Sequence, residues 1–396
     1  MDQTRRTILL TFLLFALEPL PFGAWLAQIP DVKDAIGLSK AELAIALIGL
    51  PIGVLPALQF AGAILSRFGP RRLLAVAFPA HALVVCLPLM AFSQLSLFVA
   101  LIAYGALIAV FLTALNVYAG RLEKQRGVVI MNRAHGFWAL GVMVGSVLVP
   151  ILSGPPPFVV ALILGVPVGV FGCLCALRLE RLVGDEPGRP VLPRRRLRSL
   201  PVPLAFISVA TLAASMTEGA MADWSAVYLA ERLPPEATHA GLAVTIYSGF
   251  LALGRFTGDY GKRVFGTVRL ARGALAVALI GVVLLALPLP ISVAYMGFAL
   301  AGLGVSVGFP IGVSAAAALD DSHEGENIAI LSSVTTMGFL VGPPLIGLVA
   351  DRAGLNIGLA VLIPVLIIGF VCAGSLAPRA GAVRAPIPAG SETSRG

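Results

Sequence analysis

Charge is what this chain has least of: Asp, Glu, Lys and Arg make up only 12% of its 396 residues. So thin a cover of charge cannot clothe a water-soluble domain of this length, which excludes that class. Alternating ten-residue strands, the mark of a membrane β-barrel, are missing as well. Cysteine is scarce and unpatterned. Cys86, Cys173, Cys175 and Cys372 all lie in apolar stretches, and none has the spacing of a disulfide framework or a metal site. Cys173 and Cys175 are two residues apart, which turns their thiols to different helix faces. There is no phosphate-cradling loop ending in Lys-Ser/Thr, no HExxH, and no Ser/His/Asp set of the kind a soluble domain assembles. Nothing therefore points to an enzyme, a metal or an organic cofactor. No ATPase module is present, so active transport by this chain would draw on an ion or solute gradient rather than on an ATPase subunit.

What is present is apolar sequence, 58% of the chain, with a mean hydropathy of +0.96. Breakers divide it into twelve candidate membrane spans. The first six read 7–29, 41–65, 73–92, 96–120, 130–152 and 158–178; the second six read 203–229, 240–260, 270–288, 292–318, 327–350 and 356–377. The expected class is an all-α polytopic membrane protein made of two six-helix bundles. Residues 1–178 would form the first bundle, 179–202 a Pro/Arg-rich linker, 203–377 the second bundle and 378–396 a disordered tail. Arg5 and Arg6 precede an apolar run, yet eleven further spans and a carboxylate in this one predict an uncleaved first helix rather than a signal peptide.

The net charge of +8 would suggest nucleic acid, but its distribution argues for a membrane. Arg67, Arg71, Arg72, Arg121, Lys124, Arg126, Lys262, Arg263, Arg269, Arg272 and the linker arginines fall on one side of the alternating spans. Only Lys33, Lys40, Arg232 and Arg352 fall on the other. The positive-inside rule then places both termini and the linker in the cytoplasm of a bacterial-type inner membrane, with the linker cluster near anionic lipid headgroups.

The two halves repeat. Span 1 carries Glu18 in its middle and Trp25 seven residues on; span 7 carries Glu218 and, six residues on, Trp224. Gly141-x-x-x-Gly145 in span 5 matches Gly338-x-x-x-Gly342 in span 11 at an offset of 197 residues. Two parallel repeats of six helices are a known transporter plan.

The loop after span 2, Gly62-Ala-Ile-Leu-Ser66-Arg67-Phe68-Gly69-Pro70-Arg71-Arg72, resembles the signature loop of the major facilitator superfamily. Gly254-Arg255-Phe-Thr-Gly258-Asp259 onward to Gly266 is similar at the matching place in the second half. Trp25 to Ser39 (WLAQIPDVKDAIGLS), Leu115-Asn116-Val117-Tyr118, Met131-Asn132-x-x-His135 and Asp223-Trp224-Ser225 are similar to the fucose-permease-like branch. The resemblance implies two bundles rocking around a midplane cavity lined by spans 1, 4, 7 and 10. Two positions depart from the pattern: Ser66 replaces the acid of the first signature loop, and Leu112 stands where sugar-transporting relatives have a coupling acid four residues before the span-4 Asn.

Candidate residues follow from depth and chemistry. Glu18 lies about 16 Å of helix rise from either end of its span, beside Pro19 and Pro21. It is either a proton-cycling carboxylate or a structural one bonded to another helix. Glu218 lies at similar depth, with Asp223 nearer the outside as a coupling group or vestibule cap. Thr113 and Asn116 share one face of span 4, available to a polar solute or to helix–helix bonding. With Trp25 and Trp224 these make the expected solute- or proton-handling set. Arg67, Arg71, Arg133, His135, Arg255 and Asp259 make the expected cytoplasmic gate, with Arg255 and Asp259 spaced to pair on one helix. No Arg or Lys is expected at the midplane, which disfavours phosphate esters and dicarboxylates. The expectation is import of a neutral polar or sugar-like solute with protons. Proton-driven efflux of amphiphilic or cationic compounds is the second reading, and a non-transporting receptor or scaffold a third of another class.

Overall fold

A computed structural model describes residues 3–152, 154–182, 201–234, 239–319 and 323–377. The arginine-rich body of the linker and the tail expected to be disordered lie outside the described residues. Span 1 is two helices, α1 (Gln3–Leu17) and α2 (Leu20–Ala27), followed by a short external helix α3 (Ile29–Ile36). Span 2 is α4 (Lys40–Leu47) with α5 (Gly49–Phe68), and span 3 is α6 (Pro70–Val84) with α7 (Cys86–Leu89). Spans 4, 5 and 6 are α8 (Gln94–Arg126), α9 (Met131–Ile151) and α10 (Pro157–Leu177). The second half runs α11 (Val202–Ala230), α12 (Leu242–Phe265), α13 (Thr267–Ala286), then α14 (Ile291–Val305) with α15 (Gly308–Ala317) as span 10. It closes with α16 (Glu324–Ala353) and, as span 12, α17 (Leu355–Ala360) with α18 (Leu362–Cys372).

Among the described residues, eleven helices are long and apolar enough to cross a membrane. The remaining expected span, α12, is long enough but carries Arg255, Asp259, Lys262 and Arg263. Arg255 and Asp259 are turned to other helices, while Lys262 and Arg263 are exposed at its linker end; these charges are why a sequence window judges it harshly. Large apolar side chains such as Val76, Leu83, Leu95 and Val371 are instead more than 60% exposed, as lipid-facing positions must be.

The sequence repeat is a packing repeat. In the first half α1 and α2 pack on α9, and in the second α11 packs on α16. A Cβ on Gly141 or Gly145 would stand 2.1 Å from the Ala16 carbonyl oxygen or 1.9 Å from that of Leu20. Gly338 and Gly342 meet Leu212 and Met216 of α11 at the corresponding place. In a bilayer such small-residue seams let backbones approach where no hydrophobic force drives them together.

The two halves meet along α9 against α12 and α4 against α16. At the end away from the linker this seam is shut. Lys40 Nζ lies 2.9 Å from Glu231 Oε1, and the Ala41 N–H donates to Asp351 Oδ1 at 3.3 Å. Ser146 Oγ is 2.8 Å from Thr245 Oγ1. Toward the linker end the halves enclose a cavity lined from both sides.

Candidate functional site

Span 1 breaks where the sequence predicts a functional carboxylate. Pro19 has no N–H to continue the helix, so α1 stops at Leu17, and Glu18 occupies the turn before α2. Glu18 is only 2% exposed, and its Oε2 accepts a hydrogen bond from Trp138 Nε1 of α9 at 2.8 Å. Trp138→Phe removes that donor and leaves a buried carboxyl short of a partner; a loss of about 1–3 kcal/mol is expected, read as a lower unfolding temperature in detergent.

Across the seam stands Arg255 of α12, 8% exposed, its guanidinium 5.9 Å from the centroid of the Trp138 ring. Its NH2 donates to Glu218 Oε1 of α11 at 2.8 Å, and its NH1 reaches the backbone carbonyl of His135 on α9 at 3.3 Å. His135 Nε2 lies 3.1 Å from Asn116 Oδ1 of α8, and the Asn116 amide donates to Leu112 O of its own helix at 2.9 Å. One line of polar contacts thus runs from span 4 through spans 5 and 8 to span 7, passing from one half to the other at Arg255. A buried charge persists only where it is paired and hydrogen-bonded, and the planar guanidinium can bond two partners at once.

This arrangement corrects two expectations. Arg255 does not pair with Asp259 one helical turn away; Asp259 accepts a hydrogen bond from Asn132 of α9, while Arg255 turns inward to Glu218. The i, i+4 spacing permits the first pairing, but an acid on a neighbouring helix lies in reach and deeper, where an unpaired guanidinium would cost most. The midplane is consequently not free of cationic side chains, and the argument built on their absence does not hold in its original form.

The Arg255–Glu218 pair stands between two cavities. Glu218 lines the inner one, of about 90 Å³, together with Phe22, Trp138, Asp223, Tyr247 and Phe339. Arg255 lines the outer one, of about 450 Å³, with Asn132, His135, Asp259, Lys262 and Ser306. The larger cavity reaches solvent at the linker end past the exposed residues Val129, Lys262 and Ser314. It borders the break between α14 and α15, and a Phe137–Phe256 ring contact at 5.3 Å closes the α9–α12 seam nearby.

The other predicted residues lie elsewhere. Trp25 and Trp224 are 1% and 0% exposed in the apolar core and line neither cavity. The Trp224 indole donates to the Pro343 carbonyl at 3.0 Å and so fixes α11 to α16. Thr113 donates to Ala109 O on its own helix at 2.6 Å and joins no contact of the site. Arg71 donates to the Leu177 carbonyl within the first half. Arg67 is exposed over the Phe68 ring, and Arg133 is exposed with no ion pair among the described residues. Among the described residues, the halves are joined toward the linker end by Asn132–Asp259, Arg255–His135 and Phe137–Phe256, and not by Arg67, Arg71 or Arg133. Asn132 stands in the Met131-Asn132-x-x-His135 motif without a role of its own, and Trp138 and Tyr247 escaped the sequence reading. Both had a signal: Trp138 lies one turn beyond His135, and Tyr247 two turns before Arg255.

Comparison with known proteins places this architecture. The Major Facilitator Superfamily family model matches residues 7–319 and again 236–394. An uncharacterised MFS-type transporter of Yersinia pestis is 28% identical over 355 residues, covering 88% of this chain and 90% of that one. The membrane protein MosC of Rhizobium meliloti is 27% identical over 362 residues, 89% of this chain and 86% of its own. Among solved structures, a mutant of the nucleoside transporter NupG superposes with a TM-score of 0.71 at 14% identity, over 95% of this chain and 99% of the other. A bacterial homologue of the human lysosomal transporter Spinster, inward-facing and occupied, gives 0.70 at 14% identity over 95% and 97%. At that identity the structural likeness speaks for the fold alone.

Proposed function

The chain belongs to the Major Facilitator Superfamily, and on that premise we propose that it is a secondary active transporter that carries a small solute by alternating access coupled to protons. The observation that carries the reading is the buried Arg255–Glu218 pair, set between an inner and a linker-end cavity and touching the opposite half through the His135 carbonyl. A proton on Glu218 removes the charge that holds Arg255 in the second half and frees the guanidinium, which also bonds the His135 carbonyl of the first half, to change position. That is the kind of two-state element an alternating-access cycle needs. Glu18 and Asp223 are the further carboxylates at this depth that can take part in coupling.

The linker end is assigned to the cytoplasm by its basic loops, so the cavity there faces inward while the opposite end is shut. The quoted motifs from Trp25 to Ser39 and around Asn116, His135 and Asp223 support a place in the fucose-permease-like branch. On that resemblance the transported solute is neutral, polar or sugar-like and enters with protons. The opposite reading, proton-driven efflux of an amphiphilic or cationic compound, is favoured by one observation: the inner cavity is walled mostly by aromatic and aliphatic side chains.

The test is transport in proteoliposomes with an imposed pH gradient. Glu218→Gln, which keeps a hydrogen-bond acceptor for Arg255, is expected to abolish gradient-driven accumulation while solute counterflow continues. A Glu218→Gln variant that accumulates every solute of a panel as the parent does would overturn the coupling role. Counterflow of no solute by the parent would favour the receptor or scaffold reading instead.

A further inference from the structure

The three acids at the centre are not equivalent. Glu18 is held by Trp138, and Glu218 by Arg255. Asp223, on the same helix as Glu218 and lining the same inner cavity, has no hydrogen bond or ion pair among the described residues. A second polar group in that cavity is equally unmatched: Tyr247 is 3% exposed, and its hydroxyl is buried with no hydrogen-bond partner. A buried polar atom left unbonded costs about 1–3 kcal/mol, so the Tyr247 hydroxyl, set beside a half-buried carboxylate without a protein partner, marks a place that a ligand completes.

The lining decides the chemistry of that ligand. Among the described residues no Lys or Arg lines the inner cavity, and Arg255, whose Nε is buried without a partner, spends its two terminal nitrogens on Glu218 and the His135 carbonyl. An anion would meet a spare carboxylate and no free cation. A polyol would meet few partners: besides Asp223, Tyr247 and the second carboxylate oxygen of Glu218 only Ser248 offers an uncommitted polar side chain, since Glu218 Oε1 and the Trp138 indole N–H are occupied. The remaining wall, with Phe22, Leu26, Leu50, Leu251 and Phe339, is apolar. A ligand with one positive donor group and a small apolar body satisfies all of it, and aromatic faces add attraction for a cation.

We propose that the inner cavity is a binding site for a small amphiphilic monocation, a protonated amine whose ammonium group bonds the Asp223 carboxylate and the Tyr247 hydroxyl while its apolar body lies against Phe22, Leu251 and Phe339. This rests on the transporter reading and deepens its second form, the amphiphilic or cationic solute, against the neutral or sugar-like one, since it names the solute class of the same site. Asp223 is the ligand-binding acid, and Glu218 and Glu18 stay with their protein partners. The site thus selects against hexoses, which the inner cavity cannot saturate with hydrogen bonds.

The test uses the full chain purified in detergent and four probes of graded charge and polarity: propylammonium, 1-propanol, propionate and a hexose, the first three sized to a cavity of about 90 Å³. Equilibrium binding is measured calorimetrically at neutral pH. The ammonium probe is expected to bind at least about tenfold more tightly than the isosteric alcohol, with propionate and the hexose weaker still. Asp223→Asn, nearly isosteric, should erase the preference for the ammonium over the alcohol, and Tyr247→Phe should weaken the ammonium about three- to tenfold. No measurable ammonium binding, equal affinity for the alcohol, or a preference for the hexose overturns the proposal. So does an Asp223→Asn protein that keeps the parent's preference. The probe series on the parent decides the matter even if a variant fails to fold. Failure here leaves the transporter reading standing, because proteoliposome counterflow with other solutes is measured separately.

Discussion

Arg255→Met is expected to be among the most destabilising single substitutions in the chain, by about 3–5 kcal/mol, because it leaves Glu218 buried beside an apolar side chain. Glu218→Met should cost a similar amount for the converse reason: Arg255, 8% exposed, loses its ionised partner and keeps only the long contact to the His135 carbonyl. The double variant Arg255→Met/Glu218→Met removes both charges together. It is expected to recover to within about 1 kcal/mol of the parent, since a buried pair replaced by apolar groups of similar volume is often neutral. The measurement is thermal unfolding of the purified protein in one detergent for all four members of the cycle. Additive losses, with the double variant worse than either single one, would show that the two side chains do not act as a pair. The recovered double variant should fold and still fail to accumulate solute against a pH gradient, which separates a structural role of the pair from the proposed coupling role.

The second large effect is expected at Gly347 of α16, where the two halves close. A Cβ there would lie 2.3 Å from the Ala44 Cβ of α4, 2.7 Å from the Trp224 ring and 3.0 Å from the Lys40 carbonyl oxygen. The Trp224 ring cannot move aside, because it is fully buried and hydrogen-bonded to Pro343. Gly347→Val must therefore push α4 away from α16, loosening the Lys40–Glu231 and Ala41–Asp351 contacts beside it. Overpacking of about 1–3 kcal/mol placed on the closed state alone shifts the closed-to-open balance at that end about fivefold or more. The readout is disulfide formation between cysteines at Ala41 and Asp351, in a background from which the four native cysteines are removed. The parent should cross-link efficiently and the Gly347→Val form should not. Equal cross-linking in both, with the Gly347→Val protein folded, would show that this seam yields elsewhere.

Both predictions rest on contacts between helices far apart in sequence, and that is where the reading of the chain divides. The number of spans, their order, the linker, the repeat and the break beside Glu18 follow from local properties: apolar length, proline, and glycine seams at matching offsets. Each is encoded within about 25 residues and survives any packing of the spans, because lipid forces every backbone group to be satisfied inside its own helix. Glu18 and Glu218 were legible for the same reason, since a carboxylate at bilayer depth stands out whatever its neighbours.

Their partners were not legible. Which acid holds Arg255, which indole holds Glu18, and which acid is left over depend on how helices rotate and cross. The i, i+4 rule offered Arg255 its own helical neighbour Asp259, and the tertiary structure gave it Glu218, 37 residues away. Trp25 and Trp224 looked like parts of the site by the repeat, and rotation of their helices placed them in the core instead. Sequence alone settled that this is a two-fold repeated bundle of membrane helices with carboxylates at its centre. Only the packed structure decided that two of those carboxylates are matched and that Asp223 has no partner among the described residues, because the pairing energy of a buried charge is fixed by distance in space and not by distance along the chain.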